Sequence, residues 1–265
     1  MRDFKNWNFR IDGEGTPVLL INGHFQSRSS WDPIARDLSR YNKILTCEFP
    51  NQGISVTDVS LDKMQHYAEF IEEFLRHLKI SPSDVIVYGF SFAGNVIRYL
   101  SQEMGVQFKA IIYGGIASRK FFPFQIRRFE TWLKILDQAD FDVFMRNLML
   151  QVFSPVFIAN NGRQFDELVN AYERYYSHRP EALKALIYAL IDFCQATDSI
   201  DESYVEPIHM IGAESDLIMP ANYVQDYGRS LNATSIHILP GGHSLRVEQE
   251  ETLSSVIHEI CASYD

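Results

Sequence analysis

The chain has 265 residues, of which 46% are hydrophobic and 22% charged, enough apolar material for one large core and too much for a disordered polymer. Its 24 basic and 34 acidic residues leave a net charge of −10, and without a basic stripe this argues against nucleic acid as a partner. No run approaches the roughly 18 apolar residues of a membrane span, and the N-terminal segment lacks the apolar core and cleavage site of a signal peptide. Cys47, Cys194 and Cys261 are odd in number, far apart and set among apolar neighbours, which reads as small core residues in a reducing compartment. The expected location is cytoplasmic.

Short β-rich runs predict strands at about 7–12, 18–22, 43–49, 84–90, 109–113, 207–211 and 235–239. Helical spacing predicts helices at 31–38, 62–78 and 93–102; in the second, Phe70, Ile71, Phe74, Leu75 and Leu78 share a face. Apolar strands separated by helices describe an α/β fold, a mostly parallel sheet covered on both faces. Between 117 and 204 the alternation stops and aromatic-rich helical patterns take over, with breaks at Asn160-Asn161-Gly162 and His178-Arg179-Pro180. The reading is a core of 1–116 and 205–265, with 117–204 as a helical cap on the functional edge of the sheet; the alternative is a helical subdomain packed elsewhere.

The segment around Gly89-Phe90-Ser91-Phe92-Ala93-Gly94 follows a predicted strand and opens a predicted helix. A serine on so sharp a turn needs small residues on either side, which Gly89 and Ala93 supply and Gly94 reinforces. A hydroxyl is a weak nucleophile until a base takes its proton, and the base needs a carboxylate to orient it. His243, in Pro240-Gly241-Gly242-His243-Ser244, follows the last predicted strand, and Asp216 follows the strand before it, with Glu214 the competing carboxylate. Ser91, Asp216 and His243 therefore stand in the order required of nucleophile, orienting acid and general base. The side chain of His24 reads as structural or solvent-facing and His209 as packed. No residue spacing suggests a metal site, and no cofactor is implied.

Together these residues resemble the α/β-hydrolase superfamily along nearly the whole chain outside the helical segment. Val18 to Phe25 is similar to that family's oxyanion-hole strand and loop, with Asn22-Gly23 where a His-Gly pair is usual. The resemblance implies an oxyanion hole made by the backbone N–H groups of His24 and Phe92. Glu48-Phe49-Pro50-Asn51-Gln52-Gly53-Ile54-Ser55 is similar to the family's Asp-x-Pro-Gly-His-Gly-x-Ser turn, which has a structural role. The implied architecture is an α/β-hydrolase fold with a helical cap inserted after the sixth strand. The implied activity is ester or thioester cleavage of a small or medium, apolar acyl substrate, with coenzyme A or carrier-protein thioesters among the candidates. A weaker similarity, in Ile21-Asn22-Gly23 and in Phe49 to Gly53, is to the hydroxyacyl acyltransferases that build rhamnolipid precursors, which implies the alternative of acyl transfer on the same triad. A non-catalytic receptor on this fold is the third reading.

Overall fold

Val18 and Leu20 point to one side of the sheet and Leu19 and Ile21 to the other, and all four are fully buried, as in a central strand covered by helices on both faces. They belong to β2 (Pro17–Ile21). The computed structural model describes residues 8–196 and 204–264; the expected strand start at Trp7 and the last part of the expected insertion, 197–203, lie outside the described residues.

β1 (Phe9–Asp12), β2, β3 (Lys43–Cys47), β4 (Ile86–Phe90), β5 (Ala110–Gly114), β6 (Ile208–Ala213) and β7 (Ser235–Leu239) form one sheet. Their order is β1-β3-β2-β4-β5-β6-β7, with β1 antiparallel to β3 and every other pairing parallel. From β2 the chain steps outward to β3, then returns to lay β4 along the other flank of β2, with Ile21 opposite Gly89. Such a reversal opens a crevice at the carboxyl ends of the two strands, where open α/β sheets bind ligands.

α1 (Asp32–Leu38) and α11 (Glu250–Ala262) cover the face bearing Val18 and Leu20, while α2 (Met64–His77), α3 (Phe92–Gln102) and α9 (Ala221–Ser230) cover the other. The short α10 (Leu245–Glu248) follows β7. Between β5 and β6 run α4 (Phe122–Gln138), α5 (Phe141–Val152), α6 (Pro155–Asn160), α7 (Gly162–Tyr176) and α8 (Pro180–Gln195). The helical insertion therefore follows the fifth strand and not the sixth: a single antiparallel strand, β1, precedes β2 among the described residues, so every later strand counts one lower. The break at Asn160 to Gly162 separates α6 from α7, and Pro180 opens α8, where its missing N–H is no loss.

Burial around nearly the whole circumference of α8, from Ala182 to Cys194, follows from its position between α4 on one side and α2 and α3 on the other. Arg98 on α3 is fully buried beneath the same helices. Its guanidinium lies 5.4 Å from the Phe122 ring and 4.9 Å from Tyr227, and donates to the Ala117 carbonyl at 3.2 Å, fastening the helix that follows Ser91 to the base of the insertion.

Where β4 turns into α3, a Cβ on Gly89 would stand 2.9 Å from the Ala93 carbonyl oxygen and 3.0 Å from Gly94 Cα, and one on Gly94 would stand 2.7 Å from Ile116 Cγ2. The strand and helix thus touch through Gly89 and Gly94. Because backbone atoms cannot swing aside, Gly89→Ala should lower unfolding stability by about 1–3 kcal/mol, read as a shift in urea midpoint at unchanged slope.

Candidate active site

Ser91 occupies the turn between β4 and α3 with φ 53° and ψ −109°, a conformation that L-residues adopt at a cost. It is held by its own N–H, which donates to the Gly114 carbonyl at 2.7 Å on neighbouring β5, and by the close packing at Gly89 and Gly94. The strain projects the side chain out of the sheet edge. His243, on the loop after β7, approaches it with Nε2 2.9 Å from Ser91 Oγ, while Nδ1 lies 2.6 Å from Asp216 Oδ2. An ionised carboxylate can only accept, so Nδ1 carries the proton and Nε2 is left free to accept from the serine hydroxyl.

Asp216 is 4% exposed, and its other oxygen accepts from the backbone N–H of Ile218 and of Met219, both at 2.8 Å. With both oxygens occupied, the carboxylate has one orientation. Glu214, the competing carboxylate, is solvent-exposed. Gly115 completes the seat for the imidazole: at φ 59°, a Cβ there would stand 2.9 Å from His243 Cε1.

The loop after β2 passes directly beside the serine, since a Cβ on Gly23 would meet Phe90 Cδ1 at 2.8 Å and Ser91 Cβ at 3.2 Å. Asn22, standing where a histidine is usual, is fully buried and holds this loop from within, donating to the Gln26 carbonyl and accepting from Ser30 Oγ. Gln26 Oε1 accepts from the Gly23 N–H, and Gln52 donates to the Gly23 carbonyl at 2.9 Å. Among the described residues, the backbone N–H groups of His24 and Phe92 have no acceptor; that of Phe92 opens α3, so the helix dipole adds to its pull on an anion.

The His24 side chain is packed, with its ring stacked 4.8 Å from both Phe25 and Phe92, and its Nε2 donates to the Leu186 carbonyl of α8 at 3.2 Å. Burial lowers its pKa from the ordinary 6.5 to about 3, against the opposing effect of that hydrogen bond and with help from His243. His209 is also packed, bonded to Ser235 and Tyr264, and burial takes its pKa to about 4.

The helical insertion is bonded to the loop of Asp216, to the loop at Phe25, to the turn at 48–55 and, through Glu248, to the loop of His243. Arg128 and Gln125 of α4 donate to the Ile218 carbonyl, and Arg128 also to that of Leu217, beside Asp216. The Tyr176 hydroxyl accepts from the Gly53 N–H at 2.8 Å and donates to the Phe25 carbonyl at 3.0 Å, and Arg179 donates to the Gly53 and Ser55 carbonyls. Ser154 donates to Glu248, which also accepts from the Gly242 N–H beside His243. In the turn at 48–55, buried Glu48 accepts from Asn8, from the Ile54 and Ser55 N–H groups and from the Arg28 N–H.

Between sheet edge and insertion lies a cavity of about 60 Å³, room for a few waters. Ser91, His243 and Gln26 face it from the sheet, and Phe122, Phe129, Trp132, Leu148 and Leu190 from the insertion. Among the described residues, no cluster of three histidine, cysteine or acidic side chains could hold a metal ion, and no helix is long and apolar enough to cross a membrane.

The model of the alpha/beta hydrolase family matches residues 18–255, a span that contains the turn at Ser91, the Asp216 loop and His243. The chain belongs to the alpha/beta hydrolase family. Solved structures share the fold of this hydrolase at low sequence identity. A thermophilic esterase from Thermogutta terrifontis superposes with a TM-score of 0.79 at 17% identity, over 97% of this chain and 93% of that one. The alpha/beta hydrolase enzyme MGS-M2, from a Medee basin deep-sea metagenome library, gives 0.78 at 16%, over 95% and 92%. A hydrolase from Oleispira antarctica gives 0.78 at 17%, over 97% and 94%. No curated protein sequence matches significantly.

Gly115, Gln26, Gln52, Arg128 and Tyr176 were not among the residues expected at this site. Gly115 carried a readable signal, as one of a glycine pair at the end of a predicted strand; the others reach the site only through tertiary packing.

Two outcomes follow for this hydrolase. Tyr176→Phe strands the Gly53 N–H and the Phe25 carbonyl, and should lower stability by about 1–3 kcal/mol in chemical denaturation. Below pH 6.5 the unfolded chain protonates a histidine that folded His24 leaves neutral until about pH 3. The unfolded state therefore binds more protons in that window, and stability falls as pH is lowered through it. In His24→Phe the fall in denaturation midpoint with acid should be shallower.

Proposed function

We propose that the protein is a serine hydrolase that cleaves an ester or thioester of a small or medium, apolar acyl substrate through an acyl-enzyme on Ser91. One observation carries this reading: Ser91 Oγ, the His243 ring and the Asp216 carboxylate form a continuous hydrogen-bonded chain, 2.9 and 2.6 Å long in its two links, at the wall of an apolar cavity.

In this reading His243 Nε2 takes the hydroxyl proton as Ser91 Oγ attacks the carbonyl carbon, and the imidazolium so formed is stabilised by Asp216. Negative charge then gathers on the carbonyl oxygen, where the unpaired N–H groups of His24 and Phe92 serve as the oxyanion hole. His243 passes its proton to the departing alcohol or thiol. Water, deprotonated by the same nitrogen, releases the acid and restores the serine. Residues 117–204 act as the cap, whose aromatic side chains give the acyl chain an apolar seat and keep bulk water from the reacting atoms.

The test is hydrolysis of p-nitrophenyl and coenzyme A esters of graded acyl length, with products identified by mass spectrometry. Activity should rise from the shortest to medium chains before the cavity is overfilled, and Ser91→Ala and Asp216→Asn should each lower kcat by about 10³-fold or more. Activity that is flat or falling with length would remove the apolar acyl seat from the proposal. A condensed acyl product would make the enzyme a transferase, and full activity in Ser91→Ala would end the serine mechanism.

A further inference from the structure

Behind the loop that carries His24 lies a second chamber of about 30 Å³. His24, Phe25, Gln26, Leu148 and Val152 line both it and the cavity at Ser91, so the two adjoin. Its other walls are mostly apolar, from α5 and α7, but Arg246 on α10, three residues beyond His243, also lines it.

Arginines at the surface of this acidic protein meet carboxylates, as Arg146 meets Asp142 and Asp166 and Arg163 meets Glu167, and those under or within the insertion, Arg98, Arg128 and Arg179, donate to backbone carbonyls. Arg246 is set differently. Among the described residues it forms no ion pair, its Nε is buried with no acceptor, and its side-chain partner is the neutral phenol of Tyr172. Burial pulls its pKa downward, against the opposing effect of Tyr172 and Tyr88. Arg246 is partly buried, and a guanidinium with no anion beside it and one buried N–H without an acceptor keeps hydrogen-bonding capacity for a ligand, since buried polar atoms without partners are few in folded proteins. The guanidinium offers a planar fork that matches a carboxylate. The chamber has room for such a group, since one water claims about 10–15 Å³ on this scale.

We propose that this chamber is a carboxylate subsite recognised by Arg246, and that the ester cleaved at Ser91 carries a carboxylate on its acyl chain. The reacting end of this assignment rests on the serine hydrolase reading; the charged end rests on Arg246 and its chamber. The acyl half is the one assigned here because it stays on the enzyme as the acyl-enzyme, whereas the alcohol half has to leave, and an enclosed chamber suits the part that stays. The apolar walls between the two ends take the methylene chain, and the distance from Ser91 to Arg246 selects its length.

The experiment compares methyl monoesters of linear dicarboxylic acids, from succinate to suberate, with methyl esters of the monocarboxylic acids of equal length. The wild-type enzyme should favour the charged ester at one length by about ten- to a hundredfold in kcat/KM. In Arg246→Met the charged-to-neutral ratio should fall toward unity, and Arg246→Lys, which keeps the charge but not the fork, should retain part of it; thermal melts report whether each variant is folded. Neutral esters preferred at every length, or an unchanged ratio in Arg246→Met, would overturn the subsite while leaving the role of Ser91 untouched. Hydrolysis of neither series would count against the serine hydrolase reading instead. The subsite is then read without turnover, by calorimetric titration of glutarate and adipate into Ser91→Ala: binding that the added Arg246→Met change abolishes supports it, and no binding, or binding that persists, overturns it.

Discussion

A serine holds a φ near +53° only when the surrounding chain leaves it no easier conformation. Here the closure comes from both sides of the turn. β4 is locked between β2 and β5, α3 is pressed against it through Gly89 and Gly94, and the Ser91 N–H is already committed to the Gly114 carbonyl. From this one strained residue the remaining geometry follows. The hydroxyl stands clear of the sheet, the next N–H becomes the free start of a helix, and the reversal of strand order between β2 and β4 brings the Gly23 loop against the same atom.

The insertion meets this edge with hydrogen bonds as well as with apolar packing. Arg128 grips the loop of Asp216, Tyr176 and Arg179 the loops at Phe25 and Gly53, and Ser154, through Glu248, the loop of His243. Polar contacts to main-chain atoms have narrow geometric tolerance, so they position loops in a way that greasy contact does not. Phe25, at φ 63°, shows the effect: a bulky residue is kept in the left-handed region while its carbonyl is held by a phenol from another part of the chain.

The strands and the order of the three side chains joined by hydrogen bonds, Ser91, Asp216 and His243, were legible because they are local. Apolar runs of strand length, a glycine before and after Ser91, and loops that follow strands all leave marks within a few residues of one another. Asn22 also proved readable in part: its buried amide does hold the loop, through the Gln26 carbonyl and Ser30. Distant partners left no such mark. Arg128 lies about ninety positions from the carbonyls it holds, and nothing in its neighbourhood of α4 distinguishes it from the surface-facing Arg127 beside it. Arg246 was equally silent, since the lack of a carboxylate around it is a property of the folded interior and not of the residues that flank it. The seven strands fell where they were expected, but the insertion implied after the sixth strand follows the fifth, since only β1 to β5 precede it among the described residues.

The ties between insertion and sheet loops also bear on how such an enzyme can diversify. A helical segment seated by oil-like contact alone could be exchanged between relatives as a block, with any apolar underside serving as well as another. In this chain, recombination that delivered a segment lacking Arg128, Tyr176 and Ser154 would leave the carbonyls of Leu217 and Phe25 without these donors and the carboxylate of Glu248 without the Ser154 hydroxyl, with the Gly242 N–H still on it. The helices and the loops beneath them are therefore one unit of inheritance, in which a change of pocket is reached by substitutions within a retained frame and not by swapping modules.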